Sequence, residues 1–106
     1  MQTTPDRNMK KIILRNKSDW AIICVDDSHG VLVMIHSSYG SWAFNWSSIG
    51  DDYIKFLETS DVHYTFNKFS NSLRLSASQK IQKREKIDYE FFYNTFWKML
   101  IEKLKE

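Results

Sequence analysis

Residues 42–46, Trp-Ala-Phe-Asn-Trp, set three large aromatic rings at alternate positions with small or polar residues between them. In a β-strand successive side chains point to opposite faces, so Trp42, Phe44 and Trp46 share one face and Ala43 and Asn45 the other. In a helix Trp42 and Trp46 would share a face and Phe44 would point away from it. A strand this lopsided must bury its aromatic face, and we read that face as the floor of a core covered by helices. An alternative is an exposed aromatic strip that stacks bases or anchors a partner protein.

Three further runs precede it. Residues 10–16 are a short apolar run, 20–25 (Trp-Ala-Ile-Ile-Cys-Val) are apolar at every position, and 31–39 alternate from Val31 through Val33 and Ile35. A run like 20–25 suits a strand covered on both faces or a central strand of the sheet. Turn residues separate the runs: Lys17-Ser18-Asp19, then 26–30 (Asp-Asp-Ser-His-Gly), then Gly40-Ser41. The chain holds only three glycines and one proline in 106 residues, so short turns and long regular elements are expected. Four strands joined this way make an antiparallel meander.

Beyond residue 48 the apolar period changes to that of a helix. Asp51 is placed to cap a first short helix, with Asp52 in its positive first turn and Tyr53, Phe56 and Leu57 on one face. A second short helix restarts at Ser60 or Asp61 with Val62, Phe66 and Phe69 inward. Residues 70–78 read as a loop. A long helix runs from about 77 to 105, with a break near Asp88. The expectation is an α+β fold: a four-stranded antiparallel meander, then two short helices and a long C-terminal helix packed on one sheet face. Residues 1–9 would be a flexible N-terminal arm and 10–106 a single domain.

The C-terminal helix carries more apolar positions than one face can hold. Phe91, Phe92, Tyr93, Phe96, Trp97, Met99, Leu100, Ile101 and Leu104 exceed the stripe of somewhat over 100° that a helix hides on a sheet. The two short helices are expected to leave Trp97, Ile101 and Leu104 uncovered. Trp97 and Ile101 are therefore assigned to a partner-binding surface or a homodimer contact.

Charge is distributed unevenly. Between Val62 and Ile87 stand Lys68, Arg74, Lys80, Lys83, Arg84 and Lys86 against Glu85 alone, a local excess in a chain whose net charge is +2. Lys80, Lys83, Arg84 and Lys86 are assigned to partner binding. A nucleic acid and an acidic protein surface both fit such a segment, as does a merely solvated helix face.

The residues that carry chemistry are not arranged for it. Cys24 is the only cysteine, so no internal disulfide exists, and its place in an apolar run suits a buried, inert thiol. Asp26, Asp27 and His29 match no closed metal site. The pair Asp51–Asp52 fits a helix start better than an acid–base dyad. There is no nucleophile elbow and no phosphate-cradling glycine loop. No enzyme, metal or cofactor is expected. No apolar run approaches the ~20 residues of a membrane span, and no signal-like start is present, so a cytoplasmic protein without membrane contact is expected.

One extended pattern adds context. His36, Tyr39, Gly40, Trp42, Trp46, Gly50, Asp51, Asp52, Tyr53, Phe56 and Leu57, followed by Asp61, Tyr64, Lys68 and Phe69, form a string that resembles one in small proteins encoded by phages and prophages. The resemblance covers about a third of the chain. It implies a stoichiometric inhibitor of a host defence complex, anti-CRISPR proteins included, acting in the bacterial cytoplasm on a protein or ribonucleoprotein. The alternative is a small phage nucleic-acid-binding module built on the basic 68–86 segment.

Overall fold

The computed structural model describes residues 9–49, 52–70 and 79–106, the side chains of 79–81 excepted. Four strands form one antiparallel sheet in the order of the chain: β1 (Met9–Asn16), β2 (Asp19–Asp26), β3 (Val31–Ser37) and β4 (Ser41–Trp46). The arm proposed for 1–9 lies outside the described residues except for Met9, which opens β1.

Strand alternation decides which side chains enter the core. Leu14, Ala21, Ile23, Val25, Val33, Ile35, Trp42 and Trp46 all point to one face and are buried. The aromatic strip of β4 is thus core, with Phe44 partly buried at its middle. The opposite face carries Ile13, Ile22 and His36 in one cross-strand row and Lys11, Cys24, Met34 and Ala43 in the next. Of the two readings of the all-apolar run, β2 is the central strand with one open face. Cys24 accordingly is half-buried on that open face.

Turn chemistry fixes the register. β1 and β2 join through Lys17–Ser18, and Lys17 takes the left-handed conformation at φ 59°. Gly30 closes the β2–β3 turn at φ 76°, where a Cβ would collide with the Trp46 carbonyl. The β3–β4 turn has the expected two-residue length but is centred on Ser38–Tyr39, not on Gly40–Ser41: Ser37 and Gly40 exchange both main-chain hydrogen bonds, at 2.9 and 3.2 Å. The Ser37 hydroxyl donates to the Gly40 carbonyl at 2.7 Å and accepts the Tyr39 amide at 3.2 Å.

Two short helices follow, α1 (Tyr53–Thr59) and α2 (Val62–Phe69). The cap of α1 is Asp52, not Asp51: its carboxylate accepts the Lys55 amide at 3.0 Å. Asp61 does the same for α2 through the Tyr64 amide at 2.7 Å. The loop expected over 70–78 falls almost wholly outside the described residues.

The C-terminal helix comprises α3 (Gln79–Phe92), a π-helical turn (Tyr93–Trp97) and α4 (Lys98–Lys105). No break occurs at Asp88; the irregularity comes one turn later and is a widening. A π-turn takes one extra residue into a helical turn, which shifts every later side chain around the axis by about 100° relative to an uninterrupted helix. Tyr89, Phe92, Phe96, Leu100 and Leu104 follow the spacing of one helix face, and the extra residue brings Trp97 and Ile101, which an uninterrupted helix would set beside that stripe, into line with it; all seven are buried. This overturns the expected uncovered patch: Trp97 is 3% exposed and Ile101 4%. α1 lies against α4, and α2 against β4 and α3, completing the cover over one sheet face.

Four core aromatics that carry a polar atom find partners on or beside the short helices, whereas Trp42 Nε1 is buried without one among the described residues. Trp97 Nε1 donates to the Leu57 carbonyl at 3.0 Å, and the Tyr93 hydroxyl donates to the Ser60 carbonyl at 2.6 Å. Tyr89 donates to the Thr65 hydroxyl at 2.7 Å, and Trp46 Nε1 to the Tyr64 hydroxyl at 3.0 Å. Each bond avoids the cost of roughly 1–3 kcal/mol for a buried polar atom left unpaired. Together they tie α1 to the C-terminal helix and α2 to both that helix and the sheet.

Candidate partner-binding surface

α3 has two apolar faces of opposite fate. Tyr89 and Phe92 are fully buried, whereas Ile87 is 55% exposed and Phe91 58%. Ile87 and Phe91 are four residues apart and so stand one above the other. Lys83 and Arg84 occupy the turn before them on the same outward stripe, and both are exposed. The result is a ridge that is cationic at one end and apolar at the other.

The sheet holds the apolar end in place. The Phe91 ring stacks on Tyr39 with centroids 6.2 Å apart and planes 9° from parallel. Tyr39 is itself fixed by its hydroxyl, which donates to Asp19 at 2.8 Å, and Asp19 also accepts from Ser38 at 3.0 Å. Beside it on the open sheet face, Trp20 and His36 meet edge to face at 5.0 Å. The β3–β4 turn thus supports an exposed phenylalanine from beneath and leaves its outer face to solvent.

Of the sequence-assigned residues, the structure brings Lys83 and Arg84 together. Lys86 lies on the flank toward α2, lining an open hollow with Asp61, His63 and Asn67. The Lys80 side chain lies outside the described residues. Trp97 and Ile101 are not on the ridge. They sit at the base of a groove of about 460 Å³ between α1 and α4, walled by Glu58, Lys98, Glu102 and Lys105. A 2.6 Å ion pair joins Lys105 to Glu58 along that wall.

Titrating groups under α3 answer to burial. Burial raises the Glu85 carboxyl above its ordinary range, Asp88 adds to this, and the Trp42 indole offsets part of it. Burial likewise raises the Tyr89 phenol, and the Tyr93 phenol is raised by burial and by Asp61. Among the described residues no group of three His, Cys, Asp or Glu side chains is placed to hold a metal.

The sequence model of a phage family, Phage_phiTE_072, matches residues 1–105. The chain belongs to that phage family. The match spans nearly the whole chain, the α3 ridge included. No curated protein and no solved structure matches the chain. No helix among the described residues of this phage-family protein is long and apolar enough to cross a membrane.

Ile87 and Phe91 were missed as site residues by reasoning from sequence. Their signal was available: an apolar pair at i, i+4 on the same stripe as Lys83 and Arg84, opposite the stripe of Tyr89 and Phe92.

Proposed function

We propose that this phage-family protein is a non-enzymatic inhibitor that binds a host defence complex, of the anti-CRISPR kind, through the outward ridge of α3 and acts in the bacterial cytoplasm. The observation that carries the reading is the pairing of Ile87 and Phe91, both more than half exposed, with Lys83 and Arg84 one turn away. Large apolar side chains at the centre of a patch with charge at its rim are the composition of a docking site. The cations favour a partner surface that is acidic where it meets them. The test is infection of host strains with and without an active CRISPR system, in cells expressing the protein. Phage should plate better only on the defended strain, and Ile87→Glu with Phe91→Glu should abolish the gain while leaving the melting temperature unchanged. Equal plating with and without the protein on every defended strain overturns the reading.

The second reading is nucleic-acid binding through the basic segment. The observation in its favour is that Phe91 shares the outward stripe with Lys83 and Arg84, about two turns along it, since a base can stack on such a ring while the cations meet the phosphates. Salt separates the two. Binding through several phosphate contacts weakens by orders of magnitude between about 50 and 200 mM salt, and an interface centred on Ile87 and Phe91 changes little.

A further inference from the structure

β1 is an edge strand, and its sequence is unusual for one. Among the described residues no strand lies on its outer side. It runs for eight residues, and on the open sheet face it presents Lys11, Ile13 and Arg15 in succession. Ile13 is 56% exposed. Natural edge strands are commonly kept short, or carry charge where another strand would pair. Here two cations flank a β-branched apolar residue, which is a pattern that selects a partner strand instead of refusing all of them.

Cross-strand neighbours define the selection. On this face Lys11 lies opposite Cys24, Ile13 opposite Ile22 and Arg15 opposite Trp20. A strand added outside β1 would place three of its own side chains beside Lys11, Ile13 and Arg15. An apolar residue at the middle extends the Ile13–Ile22 row, and acids two positions to either side pair with the cations. Neither Lys11 nor Arg15 has an ion-pair partner among the described residues, so no existing pair must break. The same cations reject a second copy. Antiparallel pairing of two β1 strands about Ile13 sets Lys11 of one against Arg15 of the other, and parallel pairing sets like against like.

We infer that the outer edge of β1 takes an extended acidic segment of a partner protein as an added strand, with the pattern acid-x-apolar-x-acid read by Lys11, Ile13 and Arg15. Main-chain bonds to the edge supply affinity and the three side chains supply selection. The surface lies on a different element from the α3 ridge, so it stands or falls independently of the proposed function.

The test is an NMR titration of the full chain with a blocked synthetic peptide centred on Glu-Thr-Ile-Thr-Glu. Saturable shifts should appear in the amides of Met9–Asn16 and their β2 partners. Lys11→Glu with Arg15→Glu should weaken this peptide roughly tenfold or more, as two favourable cross-strand pairs become two repulsive ones. A peptide centred on Lys-Thr-Ile-Thr-Lys should then bind the doubly substituted protein in its place, which also shows that this protein is folded. No shift up to about 1 mM peptide overturns the inference. So does equal binding to both proteins, or shifts confined to other elements. A single-stranded oligonucleotide that moves the β1 amides when the peptide does not would assign the edge to nucleic acid and overturn it too.

Discussion

The inner and outer faces of α3 carry the same kinds of residue in opposite surroundings. Tyr89 and Phe92 lie under the sheet with no solvent contact, while Ile87 and Phe91 stand in water above Lys83 and Arg84. The difference teaches that apolar content on a helix has to be apportioned before it is read as core. The π-turn supplies the apportionment. It brings Trp97 and Ile101 into line with the buried stripe but comes too late in the chain to reach Ile87 and Phe91. Apart from the Tyr39 stack under Phe91, their outer surfaces are left to solvent, which is the physical ground for assigning the outer face to a partner.

The sharpest way to break the comparison is to truncate one residue on each face. Phe92→Ala should cost about 3–5 kcal/mol, because a fully buried ring leaves a cavity. Phe91→Ala should cost within about 0.5 kcal/mol, as an exposed position does. Chemical denaturation of the two variants measures both. Similar losses would mean that the Tyr39 stack makes Phe91 part of the core. Trp46→Ala belongs with Phe92→Ala, since its ring is buried and its indole hydrogen bond to Tyr64 goes with it.

The π-turn can be tested by removing a residue. Deletion of Asn94, exposed within Tyr93–Trp97, should shrink the wide turn to an ordinary one and preserve cooperative unfolding. Deletion of Lys98, exposed at the start of α4, should rotate Leu100, Ile101 and Leu104 by about 100° and lose several times more stability. If the two deletions cost the same, the widened turn does not set the phase of the helix.

A smaller effect concerns the underside of α3. The Glu85 carboxyl is raised in the fold, so the native state holds its proton more tightly than the unfolded chain does. Its contribution to stability therefore falls as pH rises from the unfolded value toward the raised native one, and stays lost at neutral pH. Glu85→Gln should raise the melting temperature slightly at pH 7, and the advantage should vanish in acid, where the wild-type carboxyl is protonated. Smallest of all, Lys105→Ala should cost below about 1 kcal/mol, because the Lys105–Glu58 pair is solvent-exposed.

Much of this was legible in the sequence. The alternation of Trp42, Phe44 and Trp46 specified a strand and its buried face, and the turn residues specified a meander. Two adjacent aspartates, Asp51 and Asp52, offered no local reason to choose between them as a cap; the choice depends on which one the backbone brings within reach of the Lys55 amide. The π-turn was not legible. No residue type encodes it: Tyr89, Phe92, Phe96, Leu100 and Leu104 already share a face of an ordinary helix, and only the burial of Trp97 and Ile101 beside them calls for the extra residue. That omission is also why Trp97 and Ile101 were expected on the surface. The cationic half of the ridge, Lys83 and Arg84, was visible as a charge run. Its apolar half was hidden because Ile87 and Phe91 look like core until Tyr89 and Phe92 claim that side of the helix.

The measurement that bears most directly on the central claim compares wild type with Ile87→Glu plus Phe91→Glu in binding to the purified host complex proposed as the partner. The account predicts equal melting temperatures and at least a tenfold loss of affinity in the variant, as befits the apolar centre of an interface. Equal affinity in a folded variant would contradict it and return the outer face of α3 to plain solvated surface.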